Sequence, residues 1–414
     1  MDVLEALRKG FTDPVRDPLW GHIYMTPRIA DLTASAAFMR LSRIFQLGPA
    51  YCVYPGATHT RAGHSIGVYY LARRLLTGLA EISSAFLTPT GALSFLIAAL
   101  LHDLGHFPYA HSLKEIALAE HENLSARLIQ TEPLRTLIGK AGGDPALCAA
   151  IVDKSLPAGG GEVRFFRRLL SGVLDPDKLD YLNRDARYCG VPYGAQDVDF
   201  ILSRLFPHPE RGVDIDSKGI PGVEALLFSK YLMYRIVYWH RQVRSATAMV
   251  KKALIAALGE KVIAAEDLYG LDDQGLFALM AEKNFEPFAL AAAVRDGRLF
   301  YEAAAFPYSG DMGLDSIEER PGREAALAAE LSAAGEKISG GELIIDVPEP
   351  VSFETDLVVR DEDRPFGESS SAFKKNILDG FVASLRIVRV FTKRPLKQDR
   401  ISAVIQKSLH KEGN

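Results

Sequence analysis

From about residue 35 to residue 275, apolar side chains recur at intervals of three and four. This predicts helices over 36–45, 65–79, 93–104, 112–130, 145–155, 162–170, 181–187 and 197–206, and one long helix over 222–258. Thr88-Pro-Thr-Gly and Pro157-Ala-Gly-Gly-Gly interrupt the period and read as loops. Residues 212–221 alternate on either side of Ser217-Lys218, which predicts a short hairpin. After about residue 276 the pattern changes: 299–305, 342–347, 356–359 and 384–392 read as strands, with helices at 325–334 and 372–381 between them. The expected fold class is mainly α, with a helical core over 1–275 and a smaller C-terminal α+β module over 276–414.

Composition narrows the class of protein. Apolar residues make up 48% of the chain, enough for substantial cores, and the formal net charge of −4 gives no global reason for nucleic-acid binding. Cys52, Cys148 and Cys189 have neither metal-ligand spacing nor a disulfide pattern, and read as reduced thiols. The start, Met1-Asp-Val-Leu-Glu, lacks a basic-then-apolar leader, and the apolar run over 92–101 is too short to span a bilayer. A cytoplasmic protein without membrane association is expected. Lys374, Lys375, Arg386, Arg389, Lys393, Arg394, Lys397 and Arg400 make the C-terminal module locally basic.

The chemistry concentrates in a few places. His102 and Asp103 end the apolar run Ala98-Ala-Leu-Leu, and His106 follows after Leu104-Gly105. An imidazole and a carboxylate side by side against a buried helix need compensation for lost hydration. A bound metal is one compensator; a polar helix end is the plain alternative. His102 and His106 share one face if the helix continues, although Gly105 and Pro108 weigh against continuation. Three further elements carry similar residues: Arg61-Ala-Gly-His64, His121-Glu122, and the run from Asp177 to Asp185, with His111 between. His64, His102, Asp103 and Asp177 together offer two nitrogens and two carboxylates. Such a set suits one divalent transition metal (Mn, Fe, Co, Ni or Zn), with positions left for water and substrate.

The order His64, His102-Asp103, Asp177 resembles the signature of the HD-domain metal-dependent phosphohydrolases. The likeness extends to their deoxynucleoside triphosphate triphosphohydrolase branch. It is carried by Asp17-Pro-Leu-Trp-Gly-His22, Arg43-Ile-Phe-Gln-Leu47, the run Tyr54-Pro-Gly-Ala-Thr-His-Thr-Arg-Ala-Gly-His64, Leu101-His-Asp-Leu-Gly-His106 and the run Asp177 to Asp185, and spans roughly residues 13–258. The resemblance implies an HD-domain helical core. It also implies hydrolysis of deoxynucleoside triphosphates to deoxynucleoside and inorganic triphosphate. His64, His102, Asp103 and Asp177 would bind the metal, and Mg would arrive with the triphosphate. Arg61, Lys178 and Lys230 would offset its charge, about four negative charges, while Tyr181 donates to a phosphate oxygen. His111 would protonate or stabilise the leaving 5′-oxygen, with His106, His121 and Glu122 orienting or tuning the catalytic groups. Leu47 would crowd a 2′-hydroxyl, Gln46 and Asp185 would bind the 3′-hydroxyl, and Tyr238 would stack under the sugar. A homo-oligomer, dimer or tetramer, is also implied.

Two departures stand out. The vertebrate proteins of the branch read a guanine nucleotide with a Lys, an Asp, a Gln and an Arg; the matching positions here are Asp13, Ala34, Met39 and Ser42. An Asp repels phosphate and the other three cannot read a guanine edge, so that activator site is expected to be absent. His240-Arg241 and the basic tail are left as candidates for another effector site. Lys114 stands where an acid often partners the equivalent of His121, with Glu115 as the candidate substitute. Two other functions stay open. One is an HD phosphohydrolase acting on a monophosphate, a cyclic nucleotide or a guanosine alarmone. The other is a non-catalytic nucleotide- or nucleic-acid-binding regulator, for which the basic module is the support.

Overall fold

The computed structural model describes residues 2–116, 118–397 and 400–409. Its first core gathers the helices of the N-terminal two thirds around Pro89–Leu101, whose residues from Gly91 onward are all buried. A helix with no polar face needs cover on every side. Arg61–Ile82, Pro145–Val152 and Gly161–Leu170 supply much of it. Segments late in the chain return to this core. Val359 pairs in parallel with Ile215, and Leu357, Phe366 and Leu378 join the same apolar cluster. The boundary expected near residue 275 falls within helix Asp273–Glu282.

A second core forms around helix Arg241–Gly259 and takes in Phe107 and Leu113 from the loop after Pro89–Leu101. A third lies under the antiparallel sheet in which Ile387–Thr392 is flanked by Tyr301–Pro307 and Leu343–Asp346, with helices Arg320–Ala333 and Arg400–Leu409 packed on it. The mainly helical class, with small sheets in the C-terminal region, is therefore observed.

Several elements differ from the periodicity, and most differences serve the site. Helix Pro89–Leu101 stops one residue short of His102, so His106 does not extend its face. The helix expected over 112–130 is a short 3-10 turn, Ala110–Leu113, and a separate helix, His121–Ile129. The helix expected over 222–258 is interrupted by a π turn at Tyr234–Tyr238, after which His240 caps Arg241–Gly259 by accepting from Gln242 N–H. The Tyr54 hydroxyl takes the carbonyl of Ile236 in that turn, and a π insertion re-aims the side chains around it. The helix over 197–206 ends at Ser203 because Leu205–His208 pairs with Gly212–Ile215. The hairpin thus turns at residues 209–211 and not at Ser217-Lys218, which lies in a 3-10 turn capped by Asp216. A hairpin at the start, Asp13–Asp17 with Gly21–Met25, has no counterpart in the periodicity. Among the described residues no helix is long and apolar enough to cross a membrane.

Candidate metal centre and substrate cavity

Three elements bring metal-ligating atoms together. His64 sits in the first turn of Arg61–Ile82, His102 follows Pro89–Leu101, and Asp177 lies in the first turn of Pro176–Cys189. One ligand atom from each lies within 4.8 Å of the other two. His64 Nε2 is 2.9 Å from Asp177 Oδ1, and His102 Nε2 is 3.8 Å from the same oxygen. Asp103 joins from the side, its Oδ1 3.3 Å from His102 Nε2, while its Oδ2 accepts from Arg61 Nη1 at 2.7 Å.

The outer nitrogens fix which face of each ring looks inward. His64 Nδ1 meets Asp180 Oδ2 at 2.9 Å, and His102 Nδ1 meets the carbonyl of Ala99 at 2.9 Å. Both Nε2 atoms are thereby aimed at Asp177, the arrangement by which outer partners orient metal-bound imidazoles. Burial disfavours a charge on His64, but Asp177 and Asp180 outweigh it and raise its pKa to about 10. Burial likewise opposes ionisation of Asp177, yet the His64 hydrogen bond and the neighbouring imidazoles bring it to about 2. A site that concentrates this much negative charge on two aligned imidazoles fits a divalent cation by its donor set.

Asp180 was not singled out by the sequence reading. It is fully buried and accepts four hydrogen bonds: Trp20 Nε1 and Arg184 Nη2 on Oδ1, His64 Nδ1 and Arg184 Nε on Oδ2. Arg184 passes its remaining charge to Asp17 at 2.8 Å. The N-terminal hairpin therefore braces the candidate metal centre through Asp17 and Trp20. Gly67 makes room: a Cβ there would lie 1.9 Å from Asp180 Oδ1 and 2.4 Å from Arg184 Nη2. The spacing Asp177, Asp180, Arg184, three and four apart on one helix, was the available signal.

The centre opens into a cavity of about 990 Å³. Gln46, Leu47, Arg61, His64, His102, Asp103, His111, His121, Glu122, Asp177, Tyr181, Asp185 and Tyr238 all line it. Three more imidazoles cluster beside it: His111 and His121 line the cavity, while His106 is fully buried and does not. His106 stacks on His121 with ring centres 3.9 Å apart, and His111 lies edge-on to His106 at 4.6 Å. Burial, with Arg61 adding to it, pushes His106 and His111 well below the usual histidine range, and burial lowers His121 too. Glu122 meets His121 Nδ1 at 3.1 Å. Gly105 permits the approach of helix His121–Ile129, since a Cβ would come within 2.2 Å of the His121 carbonyl. Glu115 does not partner His121. It is paired with Lys251 and, through two hydrogen bonds, with Arg320, which ties the His111 loop to the C-terminal module.

Elsewhere in the cavity lining Asp185 accepts from Tyr238 Oη at 2.6 Å and faces His59 Nε2 at 2.8 Å. Gln46 Oε1 is buried there without a hydrogen-bond partner. Burial drives the Tyr181 and Tyr238 hydroxyls well above the usual tyrosine range, so both remain donors.

Two expected cations stand elsewhere. Lys178 and Lys230 do not line the cavity. Lys178 Nζ is held by Asp175 at 2.8 Å, the carbonyl of Gly172 at 2.9 Å and Glu354 at 3.2 Å. Burial alone would lower its pKa, but Asp175 and Glu354 reverse that and raise it. Lys230 Nζ donates to the carbonyl of Ser352 at 2.7 Å, and burial, with Lys178 adding to it, lowers its pKa. Four of the eight basic residues of the tail are paired with acids: Arg386 meets Asp315, Arg389 meets Glu302, Lys393 meets Glu342 and Lys375 meets Asp379. The side chain of Arg400 lies outside the described residues.

Comparison with known proteins agrees with this geometry. Residues 61–155 match the HD domain and residues 201–379 match the HD associated region. The protein YwfO of Bacillus subtilis is 35% identical over 242 residues, which cover 58% of this chain and 54% of YwfO. The chain thus spans about half the length of that relative. The deoxynucleoside triphosphate triphosphohydrolase SAMHD1 of Danio rerio is 43% identical over 112 residues, 26% of this chain and 18% of that one. A crystal structure of a phosphohydrolase from Bacteroides thetaiotaomicron superposes with a TM-score of 0.71 at 23% identity, covering 92% of this chain and 100% of that one, which shows the shared fold. With these histidines and aspartates gathered in one cavity and these matches around them, the chain carries an HD domain and an HD associated region and resembles the deoxynucleoside triphosphate triphosphohydrolase branch of the HD-domain phosphohydrolases.

Proposed function

We propose that the protein hydrolyses deoxynucleoside triphosphates to a deoxynucleoside and inorganic triphosphate. One observation carries the reading: the imidazole–carboxylate centre, His111 and His121, and the residues Gln46, Leu47, Asp185 and Tyr238 all line one cavity. His64, His102, Asp103 and Asp177 would hold a divalent transition ion, which would supply Lewis-acid polarisation when bound. Arg61, already charge-paired with Asp103, directs its remaining donors to phosphate, and Tyr181 donates its hydroxyl. His111 and His106, uncharged in the free cavity, are brought toward protonation by the substrate's negative charge. His111 then donates to the leaving 5′-oxygen, while His106, His121 and Glu122 hold it in place. Leu47 excludes a 2′-hydroxyl, and Gln46 and Asp185 bind the 3′-hydroxyl, Asp185 accepting its hydrogen and the Gln46 amide donating to its oxygen. Lys178 and Lys230 reach phosphate only if the segment carrying Ser352 and Glu354 gives way.

That last condition favours a second reading, hydrolysis of a nucleotide with fewer phosphates, which needs fewer cations. A panel of deoxynucleoside triphosphates, monophosphates, cyclic nucleotides and guanosine tetraphosphate separates the two: inorganic triphosphate from the first group alone supports the main reading, and turnover of the others alone supports the second. The resemblance also supports a homo-oligomer, a dimer or tetramer, which light scattering at assay concentration tests.

A further inference from the structure

We infer that His59 is a positioning residue for sugar recognition, setting both Asp185 and Gln46 from behind the cavity wall. The inference rests on the nucleotide-hydrolase reading above and extends it to a residue with no role in it so far. His59 does not line the cavity, while Asp185, Gln46 and Tyr238 do. Its side chain is 2% exposed, as is that of Asp185, and its Nε2 lies 2.8 Å from Asp185 Oδ1. A carboxylate accepts, so Nε2 carries the hydrogen; Nδ1 is buried with no hydrogen-bond partner. The ring stacks on Tyr188 with centres 4.5 Å apart, which fixes its plane. The backbone of the same residue serves Gln46, whose N–H donates to the His59 carbonyl at 2.9 Å. The neighbouring Phe45–Thr60 bridge and the bond from Arg61 N–H to the Ile44 carbonyl lock that register.

The consequence is geometric. Asp185 receives one protein donor on each oxygen, His59 on Oδ1 and Tyr238 on Oδ2. A carboxylate has about four acceptor positions, so two remain. Gln46 Oε1 is buried and unpartnered too, so its amide is available to a ligand. A carboxylate that accepts and an amide whose NH2 end can donate, both held by one residue, match a ligand hydroxyl, the group a deoxyribose presents at its 3′ position. Without His59, Asp185 keeps only Tyr238 and is free to turn away.

The test compares each deoxynucleoside triphosphate with its 2′,3′-dideoxy counterpart in wild type, His59→Ala, His59→Gln and Asp185→Asn, with metal content measured alongside. Wild type should prefer the deoxynucleotide by about 10-fold or more in kcat/KM, the scale of one hydrogen bond to a charged group. His59→Ala should cut that ratio to within about threefold with metal content unchanged, His59→Gln, which keeps a donor, should restore part of it, and the His59→Ala/Asp185→Asn double variant should lose no more than either single one. A merely structural role would depress both substrates together and leave the ratio alone, and that result overturns the inference. Should His59→Ala not fold, the ratio in His59→Gln decides, an unchanged ratio overturning it. Absence of deoxynucleotide turnover in wild type would overturn the nucleotide reading and this inference with it; turnover with an unaltered ratio would overturn the inference alone.

Discussion

Replacing Asp180 with Asn removes one charge and keeps the shape. Each carboxylate oxygen accepts from two donors, Trp20 and Arg184 on Oδ1, His64 and Arg184 on Oδ2. An amide has a single acceptor, so whichever way it turns, its NH2 faces two donors. Two hydrogen bonds are lost, one of them from Arg184, and the fully buried guanidinium keeps Asp17 as its remaining carboxylate. Breaking one partner out of a buried ion pair costs about 3–5 kcal/mol, and the surviving Asp17 pair places this variant at the low end, about 3 kcal/mol. The effect on the metal runs through His64, whose ring loses the charged acceptor that fixes it. Loss of such an outer partner lowers metal affinity by about 10- to 100-fold. The assay is metal content after dialysis against graded chelator, with circular dichroism showing that the variant is folded. Gly67→Ala should act in the same direction, because its Cβ would displace the same carboxylate. An Asp180→Asn protein that is folded and holds metal as tightly as wild type would refute the reasoning.

Other outcomes follow from the same geometry. Leu47→Ala should raise turnover of ribonucleotides by about 10-fold, the scale of a removed steric contact in a pocket; an unchanged deoxy preference in a substrate panel would place sugar selection elsewhere. Glu115→Gln leaves Arg320 without its acid and Lys251 with Glu349 at 3.7 Å, so it should lower stability by about 3 kcal/mol and reduce kcat while metal content stays at the wild-type level; denaturant melts and metal analysis read both. Asp273, raised by burial from 3.8 to about 6, holds its proton more tightly folded than unfolded, so its ionised form costs stability as pH rises from about 4 through 6. Asp273→Asn removes that charge and should raise Tm at pH 7–8 relative to wild type while leaving it unchanged near pH 4; an equal shift at both pH values would contradict the argument.

Much of the centre was legible because short motifs fix it locally. His102-Asp103 and the first turn of Pro176–Cys189 needed only a helix boundary to place them, and the ends of those helices fall where the polar residues begin. The periodicity erred where tertiary contacts override local preference. Residues 222–258 read as one helix because their apolar period continues through Tyr234–Tyr238, yet Tyr54 and Asp185 draw that turn apart. The segment 110–120 has helical composition, but Glu115 is pulled to cations far along the chain. Lys178 and Lys230 matched the resemblance by position, and the partners that occupy them, Glu354 and Ser352, lie more than a hundred residues away. The roles of Asp17, Trp20 and His59 were hidden for the same reason: each acts on a residue over a hundred positions distant, and no local pattern records such a pairing.

The most direct test of the central claim is product analysis. Manganese-reconstituted protein is incubated with each deoxynucleoside triphosphate and its ribo counterpart, and the products are separated by ion exchange. The account predicts inorganic triphosphate and deoxynucleoside in equal amounts, lost in Asp177→Ala together with the metal. Release of orthophosphate or pyrophosphate instead, or equal turnover of the ribonucleotides, would contradict it.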